Sequence, residues 1–282
     1  MSIVSRAKKT SSVILKVMLI TIVFTSGNAF AWTRSSNFDS GSAGQNAIGT
    51  SGFDYAGRAT TYSSDFSVSG TKSAKMLWTQ GSEGFAEDHG EYSITTVPNG
   101  GNIWIRGYFY FPSGFDFTAA PVSKFIRLKL STGGYISLFF NANVPSTPTV
   151  GKLVESNDSS THSLQMDVPN SAISTGSWHC VEMHVRLSTT APLFRAWLDG
   201  KLVLNDTSNK QVLSDTTSSL IYIMTNWNGG VPKSQSQYMD DIVITTDTPS
   251  QVDSNGNPMI GPISGSQSAT PTAPTGLRVT AS

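Results

Sequence analysis

Along most of this chain, apolar and polar residues alternate with a period of two in runs of four to ten, and Gly, Pro, Asn and Ser cluster between the runs. Pro98-Asn99-Gly100-Gly101, Pro112-Ser113-Gly114 and Thr132-Gly133-Gly134 are three such turn clusters. Period-two runs separated by turn residues predict half-buried antiparallel strands, and no amphipathic helix interrupts them. The runs place strands at 73–79, 91–97, 102–111, 123–130, 135–141, 152–155, 163–168, 178–187, 193–198, 201–204, 219–227 and 238–245. Asp199-Gly200 stands between two of them and has the chemistry of a tight two-residue turn, so 193–204 is expected as a hairpin. The fold class is all-β, a two-sheet antiparallel jelly-roll sandwich.

Alternation also says which side chains share a face. In 102–111, Ile103, Ile105, Gly107, Phe109 and Phe111 point one way, and Trp104, Arg106, Tyr108 and Tyr110 point the other. Aromatic rings stack on the apolar faces of sugars and Arg pairs with carboxylates, so the second row is a candidate glycan groove, unless a loop covers it. In 178–187, Glu182, His184 and Arg186 share a face as a candidate acid, base and anion clamp, or else as a cross-strand charge ladder. In 123–130, Phe125, Arg127 and Lys129 oppose Lys124, Ile126, Leu128 and Leu130, and the cations suit a uronate. In 219–227, Tyr222 and Asn226 share a face, and a Tyr beside an Arg can transfer protons. His89 enters a strand from an acidic loop and is a candidate proton-transfer residue. Asp39 near one end and Asp241 near the other would meet if the first and last strands pair, and their hard oxygens suit a structural Ca²⁺.

The two ends of the chain differ from its middle. Arg6, Lys8, Lys9 and Lys16, the apolar Val17–Phe24 run and Ala29-Phe30-Ala31 read as a secretory signal ending near Ala31, which predicts a bacterial periplasmic or extracellular protein. Residues 32–248 are the β domain. Residues 249–282, rich in Ser, Pro, Gly, Thr and Asn, are expected as a linker ending in the first strand of a fibronectin type III-like segment.

Charge and cysteine narrow the chemistry further. The full chain balances 19 basic against 19 acidic residues, and loss of the four basic residues of the signal leaves a net −4. That balance gives no basic face for nucleic acid, and no mature segment is long and apolar enough to span a membrane. Cys180 is the only cysteine, so stability is expected from the core rather than from an internal disulfide. There is no zinc motif, Gly-x-Ser-x-Gly or phosphate loop, and no Glu-x-Asp-x-x-Glu pair for retaining hydrolysis. A monomer is expected.

Residues 32–247 resemble the concanavalin A-like lectin/glucanase superfamily, and within it the jelly-roll polysaccharide lyases of the glucuronan-lyase and alginate-lyase kind. The likeness is carried by Ser69-Gly70-Thr71-Lys72-Ser73-Ala74-Lys75, Trp104-Ile105-Arg106-Gly107-Tyr108-Phe109-Tyr110-Phe111-Pro112, Gly176-Ser177-Trp178, Trp197-Leu198-Asp199-Gly200-Lys201 and Tyr238-Met239-Asp240-Asp241-Ile242. The resemblance implies an anionic polysaccharide as partner and β-elimination as chemistry. It implies Arg106 as carboxylate neutraliser, His89 as base and Tyr222 as acid, with Arg127 supporting the subsites. The chain departs from the alginate-lyase pattern in lacking Arg-x-Glu-Leu-Arg and Gln-Ile-His. Two function classes stay open: a lyase cleaving a polyuronate, and a non-catalytic glycan-binding or matrix module using the same groove.

Overall fold

A computed structural model describes residues 31–83, 89–118, 123–141, 151–159, 162–208, 217–227 and 229–264 of the chain. The signal segment before Ala31 and the fibronectin-like stretch 273–280 lie outside the described residues. Fifteen strands are named: β1 (Thr33–Ser36), β2 (Tyr55–Ala56), β3 (Thr60–Ser63), β4 (Ser73–Trp78), β5 (Gly90–Val97), β6 (Asn102–Tyr110), β7 (Ser123–Lys129), β8 (Tyr135–Asn141), β9 (Gly151–Ser159), β10 (His162–Ile173), β11 (Trp178–Arg186), β12 (Leu193–Leu198), β13 (Lys201–Asp206), β14 (Ser218–Trp227) and β15 (Gln235–Thr245). All twelve expected strands are present. The short β1, β2 and β3 are additional, and at two to four residues they carry too little alternation to read.

The strands form two antiparallel sheets. The first runs β13-β12-β11-β6-β15-β4-β3, with β1 also on β15, and the second runs β10-β9-β8-β7-β14-β5-β2. Their inner faces enclose one core. From the first sheet come Met76, Ile103, Ile105, Phe109, Val181, Met183, Val185 and Met239, and from the second Tyr92, Ile126, Leu128, Ile136, Leu138, Ile221 and Ile223. Phe109 and Phe125 bridge the sheets with ring centroids 4.1 Å apart. Asp199 and Gly200 turn β12 into β13 with φ of 51° and 77°, the two left-handed residues that such a hairpin requires.

Three bulges displace residues from simple alternation. The register shifts between Lys124 and Ile126, so Phe125 joins Ile126 in the core instead of sharing the outer face with Arg127. In β14 the shift falls between Ile223 and Asn226, and Met224, with φ of 54°, turns into the core. In β15 the shift lies between Asp240 and Val243, with Asp241 at φ 47°. Gly107 lies opposite this last bulge. A Cβ there would sit 2.3 Å from Ile242 Cδ1, so glycine is what lets Ile242 pack.

Past β15, residues 249–264 do not run free as a linker. They cross the outer face of the first sheet as a strap, fixed by side chains of that sheet. Trp104 Nε1 donates to Pro258 O (3.1 Å) and Trp197 Nε1 to Asp253 Oδ2 (2.9 Å). Glu182 accepts from the backbone N–H groups of Ile260 (2.7 Å) and Gly261 (2.8 Å), and the Tyr108 hydroxyl accepts from Ile263 N (2.7 Å). Asp253 shapes the strap's own turn by accepting from Asn255 N and Asn257 N. Each such bond contributes about 1 kcal/mol net. Removing residues 249–282 is therefore expected to lower stability by roughly 5 kcal/mol, read as a clear drop in Tm. An unchanged Tm would mean that the segment is a linker after all.

Candidate functional site

The strap closes the outer face of the first sheet. Trp104, Arg106 and Tyr108 do point outward from β6 as alternation predicts, yet they are only 2%, 5% and 3% exposed because the strap lies over them. The expected groove on this face is therefore filled by the chain itself. Trp104 stacks on His184 at 3.9 Å with the rings 14° apart, and His184 shares a hydrogen bond with Asn102 Oδ1 (2.9 Å). Burial, with Arg195 and Arg186 adding to it, pushes the His184 imidazole down to about 3, so it is neutral. Glu182 is opposite Arg106 in register. Burial pushes its carboxyl up to about 7 against the pull of the two strap amides and of Arg106. Arg186, at the far end of β11, donates to Ala191 O. Tyr110 joins a cluster with Phe66 (4.4 Å) and Trp178 (5.4 Å). Neither the solvated charge ladder nor the sugar groove describes this face: its polar groups hold a strap.

Arg106 consequently does not meet His89 and Tyr222. It lies outside the first sheet and they lie outside the second, with the whole core between. Stacked sheets are about 10 Å apart, which rules out a shared site.

The outer face of the second sheet assembles a different constellation. Register aligns Tyr55 (β2), Glu91 (β5), Tyr222 (β14), Arg127 (β7) and Ser137 (β8) in one row across five strands. Each is one pleat away from core residues: Tyr92 beside Glu91, Ile221 and Ile223 around Tyr222, Ile126 and Leu128 around Arg127. His89 precedes β5 two residues before Glu91, so both point to this face. Between them Gly90 packs so closely on Phe53 that a Cβ would lie 2.3 Å from the ring. Tyr55, His89, Glu91 and Tyr222 line a cleft of about 350 Å³.

Contacts within the row are close. His89 Nε2 is 3.0 Å from Glu91 Oε1. The His89 ring lies 5.5 Å from Tyr55 and 6.5 Å from Tyr222, and Tyr135 is edge-on to Tyr222 at 6.0 Å. The Arg127 guanidinium sits 3.5 Å over the Tyr135 ring, a planar stack that fixes its orientation. Lys129 lies on the same face near the Tyr222 phenol and works to lower its pKa. Burial raises the Tyr222 pKa, and the charges of Glu91 and Tyr135 add to burial while Lys129 opposes it, so the phenol stays protonated. The arrangement sets an imidazole, a neutral phenol and two cations along one face, where Tyr55 and Lys129 are exposed while His89, Tyr222 and Arg127 are only 6%, 8% and 2% exposed.

Of the expected site residues, the structure brings together His89, Tyr222 and Arg127. The side chain of Asn226 lies outside the described ones. Glu91, Tyr55, Tyr135 and Ser137 are new to the site. Their signal was the same alternation, in Glu91-Tyr92-Ser93 and Tyr135-Ile136-Ser137, which becomes informative only once register sets them beside Tyr222. Another acid–base set, Ser174, His179 and Asp199, ties β11 to the hairpin turn. His179 Nδ1 donates to Asp199 Oδ2 (2.9 Å), and Asp199 Oδ1 accepts from Cys180 N (2.9 Å).

The pair proposed for calcium is near the β15 bulge. Asp39 Oδ1 accepts from the backbone of Thr71 (2.7 Å) and Lys72 (3.1 Å) and so clasps the Gly70 turn. Asp241 Oδ2 is buried without a hydrogen-bond partner among the described residues, beside a cleft lined by Ser35, Ser36, Asn37, Thr50 and Ser51. Burial raises the Asp241 carboxyl, with Ser69 and Arg106 opposing and Asp39 adding to the rise. No group of three His, Cys, Asp or Glu side chains forms among the described residues. The oxygen-rich lining and the orphaned carboxylate oxygen suit a hard cation.

Comparison with known proteins places this geometry in a lineage. A search of curated proteins finds no match. Among solved structures, the chain is similar to the alginate lyase Aly36B in complex with an alginate trisaccharide, at 13% identity over 75% of this chain and 97% of that one, TM-score 0.54. It is similar to the endo-β-1,4-glucuronan lyase of the fungus Trichoderma reesei, at 14% identity over 73% and 94%, TM-score 0.55. At these identities the likeness is one of fold, a jelly-roll sandwich. The family model for polysaccharide lyases matches residues 30–224, a span that includes β2, β5, β7, β8 and the part of β14 that carries Tyr222, and the chain belongs to that polysaccharide lyase family.

Proposed function

We propose that the protein cleaves a uronate-containing polysaccharide of the alginate or glucuronan type by β-elimination on the outer face of its second sheet. The carrying observation is the in-register row of Glu91, Tyr222 and Arg127 with His89 beside it. The two similar structures act on alginate and glucuronan, which supports a uronate as substrate.

The chemistry follows from the side chains. Arg127, aided by Lys129, neutralises the uronate carboxylate and so acidifies the C5 proton. His89 takes that proton, a C4–C5 double bond forms and the C4–O bond breaks. The neutral phenol of Tyr222 gives its proton to the departing oxygen, and solvent resets both groups. Tyr55, 55% exposed at the end of the row, offers its ring face to a sugar in the next subsite. This assignment moves the neutralising role from Arg106 to Arg127.

Incubating the mature chain (from Trp32) with alginate and polyglucuronate should raise ultraviolet absorbance from the unsaturated product end. Tyr222→Phe and Arg127→Ala are expected to lower kcat by about 10²–10⁴-fold. Tyr55→Ala is expected to raise KM several-fold with kcat kept. Arg106→Ala should lower Tm while the folded protein keeps its kcat. Polymer retention in a gel without product would instead establish a binding module.

Secretion, read from the signal segment, and a structural Ca²⁺ at Asp241 are parts of the same proposal. The calcium part predicts that Ca²⁺ raises Tm, that a chelator reverses the rise, and that Asp241→Asn removes it. A Tm indifferent to calcium would remove the ion from the account.

A further inference from the structure

Glu91 lies between the two groups that the proposed elimination uses. Its carboxylate meets His89 Nε2 at 3.0 Å, with the two side chains only 24% and 8% exposed. Across the β5–β14 ladder it is directly opposite Tyr222. The backbone around it is tightly held. The His89 carbonyl accepts from Gly57 N (2.9 Å) and Thr60 Oγ1 (3.2 Å), and Gly90 is pressed on the Phe53 ring. Glu91 is therefore carried on β5, and the backbone of His89 just before that strand is tied to Gly57 and Thr60.

A carboxylate can only accept a hydrogen bond. The 3.0 Å contact with Glu91 therefore places the imidazole proton on Nε2 and leaves the lone pair of the neutral ring on Nδ1. Tyr55 and Tyr222, packed around the ring at 5.5 and 6.5 Å, restrict its tilt. A carboxylate that orients an imidazole and sets its tautomer is the general arrangement by which a base is prepared for proton transfer.

We infer that Glu91 is a positioning residue of the elimination: it holds His89 as the Nε2–H tautomer and keeps the imidazole beside Tyr222. This rests on the lyase reading above. In the step itself, the C5 proton passes to the His89 imidazole and the phenolic proton of Tyr222 passes to the departing oxygen. Glu91 gains and loses nothing. Its charge adds to the burial that keeps the Tyr222 phenol protonated, which is the state the leaving oxygen requires.

The test compares Glu91→Ala and Glu91→Gln with the wild-type mature chain, by kinetics on the best uronate polymer and by ¹⁵N-resolved NMR of the His89 ring. Glu91→Ala should lower kcat about 10–100-fold with KM within threefold and Tm nearly kept. Glu91→Gln, whose amide oxygen can accept the same hydrogen, should stay within about tenfold of wild type. The His89 ring should read as Nε2–H in the wild type and lose that preference in Glu91→Ala. The inference is overturned by a kcat unchanged in Glu91→Ala, by a loss carried in KM, by a Gln variant no better than Ala, or by a wild-type His89 protonated on Nδ1. If the wild type forms no product from any uronate polymer, the lyase reading falls. The placement of the imidazole by Glu91 is then decided by the NMR result, which needs no turnover.

Discussion

Glu91, Tyr222 and Arg127 face one another across three strands because Tyr92, Ile221, Ile223, Ile126 and Leu128 are buried on the opposite side of the same strands. The side-chain period of a strand is two, so a slip of one residue in β14 would carry Tyr222 into the core and bring Ile221 out to water. Burying or exposing each large aliphatic side chain is worth about 1.5–3 kcal/mol. The register of the site is thus enforced by the core beneath it. The row of polar groups is as rigid as the sandwich, the condition under which preorganised charges act on a developing negative charge without reorganising first.

The two outer faces of this sandwich start from similar material and end differently. Each carries aromatic rings, Arg and a Glu on alternate positions of central strands. On the first sheet these groups turn to the chain's own backbone, with Glu182 binding two strap amides and the indoles of Trp104 and Trp197 donating to the strap. On the second sheet the corresponding groups turn to each other: Glu91 to His89 and Arg127 to Tyr135. That difference, more than residue type, separates the two faces.

Much of this was legible in the amino-acid order. Twelve strands, the Asp199-Gly200 hairpin and the inward and outward rows of β6 follow from alternation and turn chemistry, because those signals are local. The covering of the outward row of β6 is not local. It depends on residues 249–264, a stretch of Pro, Gly, Ser and Asn with no period, held by five hydrogen bonds to side chains between 56 and 155 residues away in sequence. Arg106 therefore looked like the neutralising cation, and Arg127, whose row was blurred by the bulge at Phe125, looked secondary. Glu91 was hidden for a related reason. Beside His89 in sequence it reads as part of an acidic loop, and only pairing with β14 sets it against Tyr222.

The central claim is spatial: the substrate lies on the second sheet, over Arg127 and Tyr222. The most direct measurement is a crystal structure of Tyr222→Phe with a uronate oligosaccharide bound. The account predicts a sugar carboxylate against the Arg127 guanidinium, with C5 of that sugar within proton-transfer reach of His89. An oligosaccharide seated on the first sheet, or bound to the second with its carboxylate away from Arg127, would contradict it.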